Sequence, residues 1–367
     1  MENKPIRVLQ MTASLFSGGS QNMIINLYKA IDRNKVQFDF IVDHPELNDL
    51  QPVVEQLGAN VYSMPQFKGT NILQVKKAWN DFFKQHPEYK IIHSHARSYA
   101  SIYLDIAKQN GLKTIIHSHN TSNGSDMKAK VKDLLQHNLR NVADYFFACS
   151  YDAGKWLFGD KVVNSKNFYI VNNAIDANKF RFNQKIRDKY RKELNLENNK
   201  VYIQVGEFNE QKNHRFTIDL FKQIVKKENN AKLLLAGTGE KLEEIKQLVN
   251  EYHLDDYVSF LGRRNDVNNL LMASDVYLMP SNFEGLSVAA IEAQASGIRV
   301  FLSDKVTKDV DITSTCLFLP LEIDRWLYAC MNSNLDRNDT YDRIVKMGYD
   351  VNSTAKWLQN FYLDIIE

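Results

Sequence analysis

The feature that most constrains this chain is an alternation. Short runs rich in β-branched and aromatic residues take turns with segments whose apolar residues recur at helical spacing. Residues 6–11 read as a strand, a glycine turn follows, and Met23, Ile24, Leu27 and Ile31 then fall on one helical face. Residues 36–42, 60–63, 90–93, 113–117, 145–149 and 168–171 are further strand candidates, mostly with helical stretches between them. A strand reaches a parallel neighbour only through a crossover, and a helix is the usual crossover. The alternation therefore predicts an α/β chain with parallel sheets covered by helices. The rhythm loosens after Asn172, and residues 183–199 are polar and charged, with a helical stretch but little to bury. It restarts at residues 201–205, followed by 233–236, 258–261, 276–279, 299–302 and 316–319.

Length agrees with a division into two. A chain of 367 residues is more than one hydrophobic core usually serves. Two Rossmann-like domains facing a cleft are expected, over residues 1–180 and 181–352. Residues 353–365 carry Trp357, Leu358, Phe361 and Ile365 at helical spacing, so 353–367 is expected to cross back to the first domain. At 44% hydrophobic and 25% charged, the composition suits two packed cores and excludes a disordered chain. The formal net charge of +2 gives no global field for nucleic acid, and no nucleic-acid partner is expected. Cys149, Cys316 and Cys330 lie far apart without metal-ligand spacing and read as reduced thiols of a cytoplasmic protein. The first ten residues lack the apolar core of a secretory signal, and no apolar run approaches the roughly 18 residues of a membrane span.

The sharpest motif is Asp275-Val-Tyr-Leu-Met-Pro-Ser-Asn-Phe-Glu-Gly-Leu-Ser-Val-Ala-Ala-Ile-Glu-Ala. An apolar strand ends at Pro280, a loop holds Glu284 and Gly285, and a helix is expected to start near Leu286 and carry Glu292. Unpaired N–H groups and the positive dipole end at a helix start suit a diphosphate. Gly285 lets a ligand approach the backbone. Two carboxylates eight residues apart suit sugar hydroxyls. From spacing alone, a helix-end charge plus a solvated glutamate fits equally well.

The stretch resembles the E-x7-E signature of retaining glycosyltransferases of family 4, which have the GT-B fold, and the similarity spans nearly the whole chain. Residues 8–42 resemble that family's first strand, Gly-Gly turn, helix and second strand. Phe147-Ala-Cys-Ser-Tyr-Asp-Ala-Gly-Lys-Trp-Leu-Phe-Gly, Ala174-Ile-Asp-Ala-Asn-Lys-Phe and residues 262–303 look like the subgroup that builds bacterial capsular and extracellular polysaccharides. The resemblance implies that Glu284 faces the donor sugar and Glu292 the ribose. Backbone N–H groups of Gly285, Leu286 and Ser287 would hold the diphosphate. It also implies no metal and no cofactor beyond a UDP-sugar as co-substrate. The one D-x-D triplet, Asp309-Val-Asp311, lies away from the other motifs.

Three further motifs join it. Gly206-Glu-Phe-Asn-Glu-Gln-Lys-Asn-His214 follows a strand. The family has an arginine directly after the glycine and a lysine five residues later, both on the leaving phosphates. Lys212 matches the lysine, but Glu207 stands where the arginine is expected. A carboxylate repels a diphosphate, so Arg263 or Arg264, just after Gly262, is expected to compensate, or activity falls. By itself Lys212 also fits a solvated surface lysine. Ser17-Gly-Gly-Ser-Gln21 offers Gly18 and Gly19 for close approach to a phosphate or acceptor; a plain tight turn fits as well, and the family often has glutamate at the place of Gln21. His93-Ser-His95 and His117-Ser-His119 each end a strand, where open α/β sheets put ligands. Each is individually compatible with a structural histidine, and the four with zinc. The family's histidine near the reacting carbon corresponds best to His119, with His117 next.

Two weaker signals complete the set. Gly237-Thr-Gly239 ends a strand but lacks the third glycine of a dinucleotide fingerprint, which counts against NAD. Residues 127–140 form a candidate helix with Lys128, Lys130, Lys132 and Arg140, either a solvated face or a surface for anionic lipid headgroups. The expected reaction is transfer of a hexose or N-acetylhexosamine from a UDP-sugar to a lipid-linked or oligosaccharide acceptor. Peripheral contact with the inner face of the cell membrane would bring the enzyme to such an acceptor. A catalytically weak subunit partnering a second glycosyltransferase, a nucleotide-sugar epimerase of the same fold and a nicotinamide enzyme are the rival readings.

Overall fold

Each strand expected from the sequence forms, with ends that agree or shift by at most two residues. The computed structural model describes residues 4–16, 19–119, 136 and 138–366. Two units emerge: one runs to Ala174 and resumes at Gly348, and the other is Ile175–Met347. Each carries its own parallel sheet.

In the first unit the strands are β1 (Ile6–Met11), β2 (Val36–Val42), β3 (Val61–Ser63), β4 (Ile91–Ser94), β5 (Lys113–Ser118), β6 (Tyr145–Ala148) and β7 (Phe168–Ile170). They lie in the order β3-β2-β1-β4-β5-β6-β7, every pair parallel. The chain winds outward from β1 through β2 and β3, then returns to the other side of β1 as β4. The loops after β1 and β4 therefore leave in opposite directions, which opens a crevice at their carboxyl ends. Alternation along β1 sorts its side chains: Leu9 and Met11 join the core that holds Trp79 and Tyr103, whose rings stack 4.6 Å apart. Val8 joins the opposite core, with Phe38, Phe40, Tyr28 and Leu358.

That second face is closed by the helix Gly19–Ala30 and the terminal helix Val351–Asp364. The terminal helix begins two residues before the expected 353 because Asp350 caps it, its carboxylate accepting from the backbone N–H of Ser353 at 2.9 Å. Val351, Ala355, Leu358, Phe361 and Tyr362 form its buried stripe.

The second unit has β8 (Lys200–Val205), β9 (Ala231–Ala236), β10 (Val258–Gly262), β11 (Val276–Met279), β12 (Arg299–Ser303) and β13 (Cys316–Leu319). Their order is β10-β9-β8-β11-β12-β13, again all parallel, so the divergent pair is β8 and β11. Tyr202, Leu233, Leu278, Phe301 and Trp326 anchor one core. The polar stretch near residue 190 is ordered by charge rather than burial. From the helix Gln184–Glu193, Arg187 donates to the carbonyls of Met272, Ala273 and Ser274, which end the helix Val267–Ala273, and pairs with Asp275 at 2.6 Å. Arg191 binds the Ala273 carbonyl and the same carboxylate. No described helix is long and apolar enough to cross a membrane.

Candidate functional site

In the second unit the loops that leave β8 and β11 are laced together. The Asn282 backbone N–H donates to the Gln211 carbonyl at 2.8 Å, and its side chain donates to the Glu210 carbonyl at 2.7 Å. Asn213, at a left-handed φ of 51°, caps the helix His214–Val225 and donates to the Asn282 side chain at 3.2 Å. These contacts put the two sequence motifs in one place. The Lys212 ammonium forms an ion pair with Glu284, and Gln211 donates to the other carboxylate oxygen at 3.2 Å. Both partners are largely shielded, with side chains 17% and 14% exposed, so removing one leaves a poorly hydrated charge. Gly206 leaves room for the lysine stem: a Cβ there would sit 3.3 Å from it. Gly237 and Gly239 serve close backbone packing, since a Cβ at Gly237 would fall 1.9 Å from the Gly206 carbonyl oxygen.

The helix that carries Glu292 starts at Val288, with Ser287 as its N-cap, rather than near Leu286. The reason is local. Glu284 makes a parallel bridge to Val306, and the Thr307 N–H donates to its carbonyl, so the backbone stays extended past the point where a helix would nucleate. Gly285 and Leu286 therefore lie in the loop, and the unpaired first-turn N–H groups begin at Val288. Gly285 is open: nothing would touch a Cβ there within 4 Å. Glu292 is half-buried with no hydrogen bond or ion pair among the described residues. Burial pushes its carboxyl up to about 7, against an opposing pull from Lys179. Tyr277, on β11, is a residue that sequence reasoning missed. Its hydroxyl is buried without a hydrogen-bond partner among the described residues, and burial, followed by the charges of Glu292 and Glu284, raises its pKa. A tyrosine in an otherwise aliphatic strand was the available signal.

The expected cations fare unequally. Glu207 is exposed, and its carboxylate accepts from Asn209 at 3.2 Å. Arg264 is already committed to Asp266 through two hydrogen bonds of 2.8 and 2.6 Å. Arg263 is exposed and has no ion-pair partner among the described residues. It follows Gly262, whose φ of +63° needs glycine. Asp311 accepts from the N–H groups of Thr315 and Cys316, a turn contact that accounts for half of the D-x-D triplet.

In the first unit, Ser17 and Gly18 lie outside the described residues, as do 127–135 and 137 of the basic stretch. Gly19 begins its helix with open space around a Cβ. Gln21 donates to Thr12 Oγ1 at 3.3 Å, which ties the helix to the end of β1. The four histidines share one sheet face as a stack: His93 and His95 are 4.4 Å apart between ring centres, His95 and His119 5.1 Å, and His117 and His119 4.1 Å. Burial lowers the pKa of every one, that of His119 to about 3 with help from Arg97. They are neutral imidazoles at physiological pH. Nitrogens of His93, His95 and His117 lie within 4.8 Å of one another, near enough to suggest a metal. The ring planes, however, are 12° to 37° from parallel, so their in-plane lone pairs do not converge on one point. What the rings do meet is a hydrogen-bonded line through Gln10 and Tyr362, which spacing along the chain could not show.

Two family models match the chain. Residues 17–179 match Glycosyltransferase Family 4, and residues 186–310 match Glycosyl transferases group 1. The EpsF protein of Bacillus subtilis (strain 168), whose name assigns it to the glycosyltransferases, is 28% identical over 374 residues, 99% of this chain and 97% of that one. The UDP-Gal:alpha-D-GlcNAc-diphosphoundecaprenol alpha-1,3-galactosyltransferase of Escherichia coli is 27% identical over 227 residues, 59% of this chain and 58% of that one. Among solved structures, Anabaena Alr3699/HepE in complex with UDP superposes with a TM-score of 0.79 at 16% identity, over 98% of this chain and 100% of that one. WaaG, a glycosyltransferase involved in lipopolysaccharide biosynthesis, gives 0.68 at 14% identity, over 96% and 99%. At these identities the structural likeness speaks for the fold.

Proposed function

This chain belongs to the GT-B glycosyltransferases of glycan synthesis, and on that premise we propose that it moves a hexose or N-acetylhexosamine from a UDP-sugar to a lipid-linked glycan with retention of anomeric configuration. The observation that carries the reading is the Lys212–Glu284 pair at the divergent ends of β8 and β11, with Glu292 on the following helix. An incoming donor exchanges both partners of that pair. Its phosphate takes the Lys212 ammonium, and its sugar hydroxyls take the Glu284 carboxylate. Glu292 accepts from the ribose hydroxyls. The Val288 helix start, after Gly285, Leu286 and Ser287, offers N–H groups to the diphosphate. Stabilisation of the departing UDP is then the main catalytic term. In this scheme the first unit takes the acceptor, with His119 and Gly19 facing it. No metal enters the scheme, and activity is expected to survive chelation. The UDP named in the HepE complex and the diphosphoundecaprenol acceptor named for the Escherichia coli relative support the choice of donor and acceptor class. A lipid-borne acceptor calls for peripheral docking at the inner face of the cell membrane.

Glu207 favours a second reading, an accessory subunit with weak activity of its own. One preorganised contact to the leaving group is worth roughly 3 kcal/mol, about a hundredfold in rate. The test is a panel of UDP-sugars with undecaprenyl-diphosphate-linked sugars as acceptors, followed by UDP release and by NMR of the product's anomeric centre. Transfer with retention is expected, and Glu207→Arg should raise UDP release. Transfer with inversion would refute the retaining scheme. UDP release from Glu207→Arg but none from the wild type would favour the accessory subunit. Conversion of the UDP-sugar without acceptor would identify an epimerase.

A further inference from the structure

A glutamine sits where the first sheet should be apolar. Gln10, 1% exposed, is on the β1 face that also carries Val8, beneath the terminal helix. Its amide has two contacts. Oε1 accepts from His95 Nε2 at 3.0 Å, and Nε2 donates to the Tyr362 hydroxyl at 3.3 Å. That hydroxyl lies 2.6 Å from His93 Nδ1, and His95 Nδ1 lies 2.8 Å from His119 Nε2. These five side chains form one line.

With the Gln10 amide turned so that Oε1 faces His95, the donor and acceptor roles along the line follow one from another. His95 Nε2 carries the proton it gives to Gln10. A neutral imidazole holds one ring proton, so His95 Nδ1 is bare and must accept. His119 Nε2 therefore donates, and His119 Nδ1 is left bare. On the other arm, the Tyr362 hydroxyl accepts from Gln10 and donates to His93 Nδ1. Turning the Gln10 amide over would reverse every assignment, so this single side chain sets the tautomer at the far end. The nearby cation of Arg97 adds to burial in keeping His119 neutral, with a single ring proton. His119 Nδ1 is buried and has no hydrogen-bond partner among the described residues, the state of an acceptor awaiting a hydroxyl.

We infer that Gln10 is a positioning residue: acting through His95, it holds His119 as the Nε2–H tautomer and presents His119 Nδ1 as an acceptor to a substrate hydroxyl. The inference rests on the proposed placement of His119 at the substrates. Tyr362 links this line to the last helix of the chain, which gives the return of residues 348–366 to the first unit a part in the chemistry as well as in the core.

The test is long-range 1H–15N correlation on the full chain labelled at histidine, which separates protonated from bare ring nitrogens. In the wild type His119 should be protonated on Nε2. Gln10→Leu removes the acceptor while matching the apolar surroundings, and should move His95 and His119 to mixed tautomers. It should also lower turnover in UDP release at least tenfold, with the donor KM within twofold. Gln10→Met serves if the leucine variant loses its melting transition. Gln10→Glu keeps an acceptor towards His95 and should retain the Nε2–H form of His119. Protonation of His119 on Nδ1 in the wild type would overturn the inference, as would unchanged ring shifts in Gln10→Leu. Altered tautomers with unaltered turnover would leave the relay intact but overturn both the positioning role and the placement of His119 at the substrates.

Discussion

At the scale of single residues, the account turns on Glu292, Lys212 and Glu207. Burial raises the Glu292 carboxyl to about 7, and only the ionised form accepts two hydroxyl hydrogen bonds. UDP affinity should therefore be full above pH 7 and decline as pH falls through 7. Glu292→Gln should bind UDP ten- to a hundredfold more weakly above pH 7, the equivalent of about 1.5–3 kcal/mol for a charge-assisted bond, with no titration near 7. Calorimetric titrations at pH 6 and 8 check both. Lys212→Ala removes the phosphate contact and strands Glu284, so turnover should fall about a hundredfold. That Lys212 and Glu284, 72 positions apart, serve one donor was implied only by the family resemblance, and their direct ion pair was not legible in either motif. The line Gln10–His95–His119 was not legible at all, because its members lie on three separate segments. A lone glutamine in the strand Ile-Arg-Val-Leu-Gln-Met was the one hint.

At the scale of elements, the strands were readable because each is a short run of β-branched and aromatic residues between turns. Both helix starts that shifted did so for contacts that hydrophobic periodicity does not register. Asp350 advanced the terminal helix through its cap, and the Glu284–Val306 bridge delayed the helix at Val288. Asp350→Ala should cost about 1 kcal/mol, read as a lower urea midpoint, with UDP affinity unchanged. The loop glycines make an opposite prediction. Gly237→Ala would force a Cβ against the Gly206 carbonyl. The loop that carries Lys212 would shift, and UDP affinity should fall more than stability does. An equal loss of both would show that Gly237 matters for folding alone.

At the scale of the whole molecule, two units carry separate sheets and separate cores, and acid should distinguish them. The four stacked imidazoles of the first unit have pKa values lowered by burial. Below the unfolded value of about 6.5, the unfolded chain binds protons that the folded unit refuses, so stability falls with pH by up to about 1.4 kcal/mol per pH unit for each group. The first unit should melt earlier than the second at pH 5.5, and a single melt with a midpoint unchanged from pH 7.5 would contradict the neutral stack. The division into two α/β units was plain from the restart of the strand rhythm near residue 200, whereas the order within each sheet emerged only in three dimensions. It is that order, with β8 beside β11, that brings the Lys212 and Glu284 motifs to one crevice. The direct test of this claim is calorimetric titration of UDP into the full chain and its Lys212→Ala and Glu292→Ala variants. The account predicts one site per chain, weakened at least tenfold by each substitution. No binding by the wild type, or equal affinity in all three proteins, would contradict it.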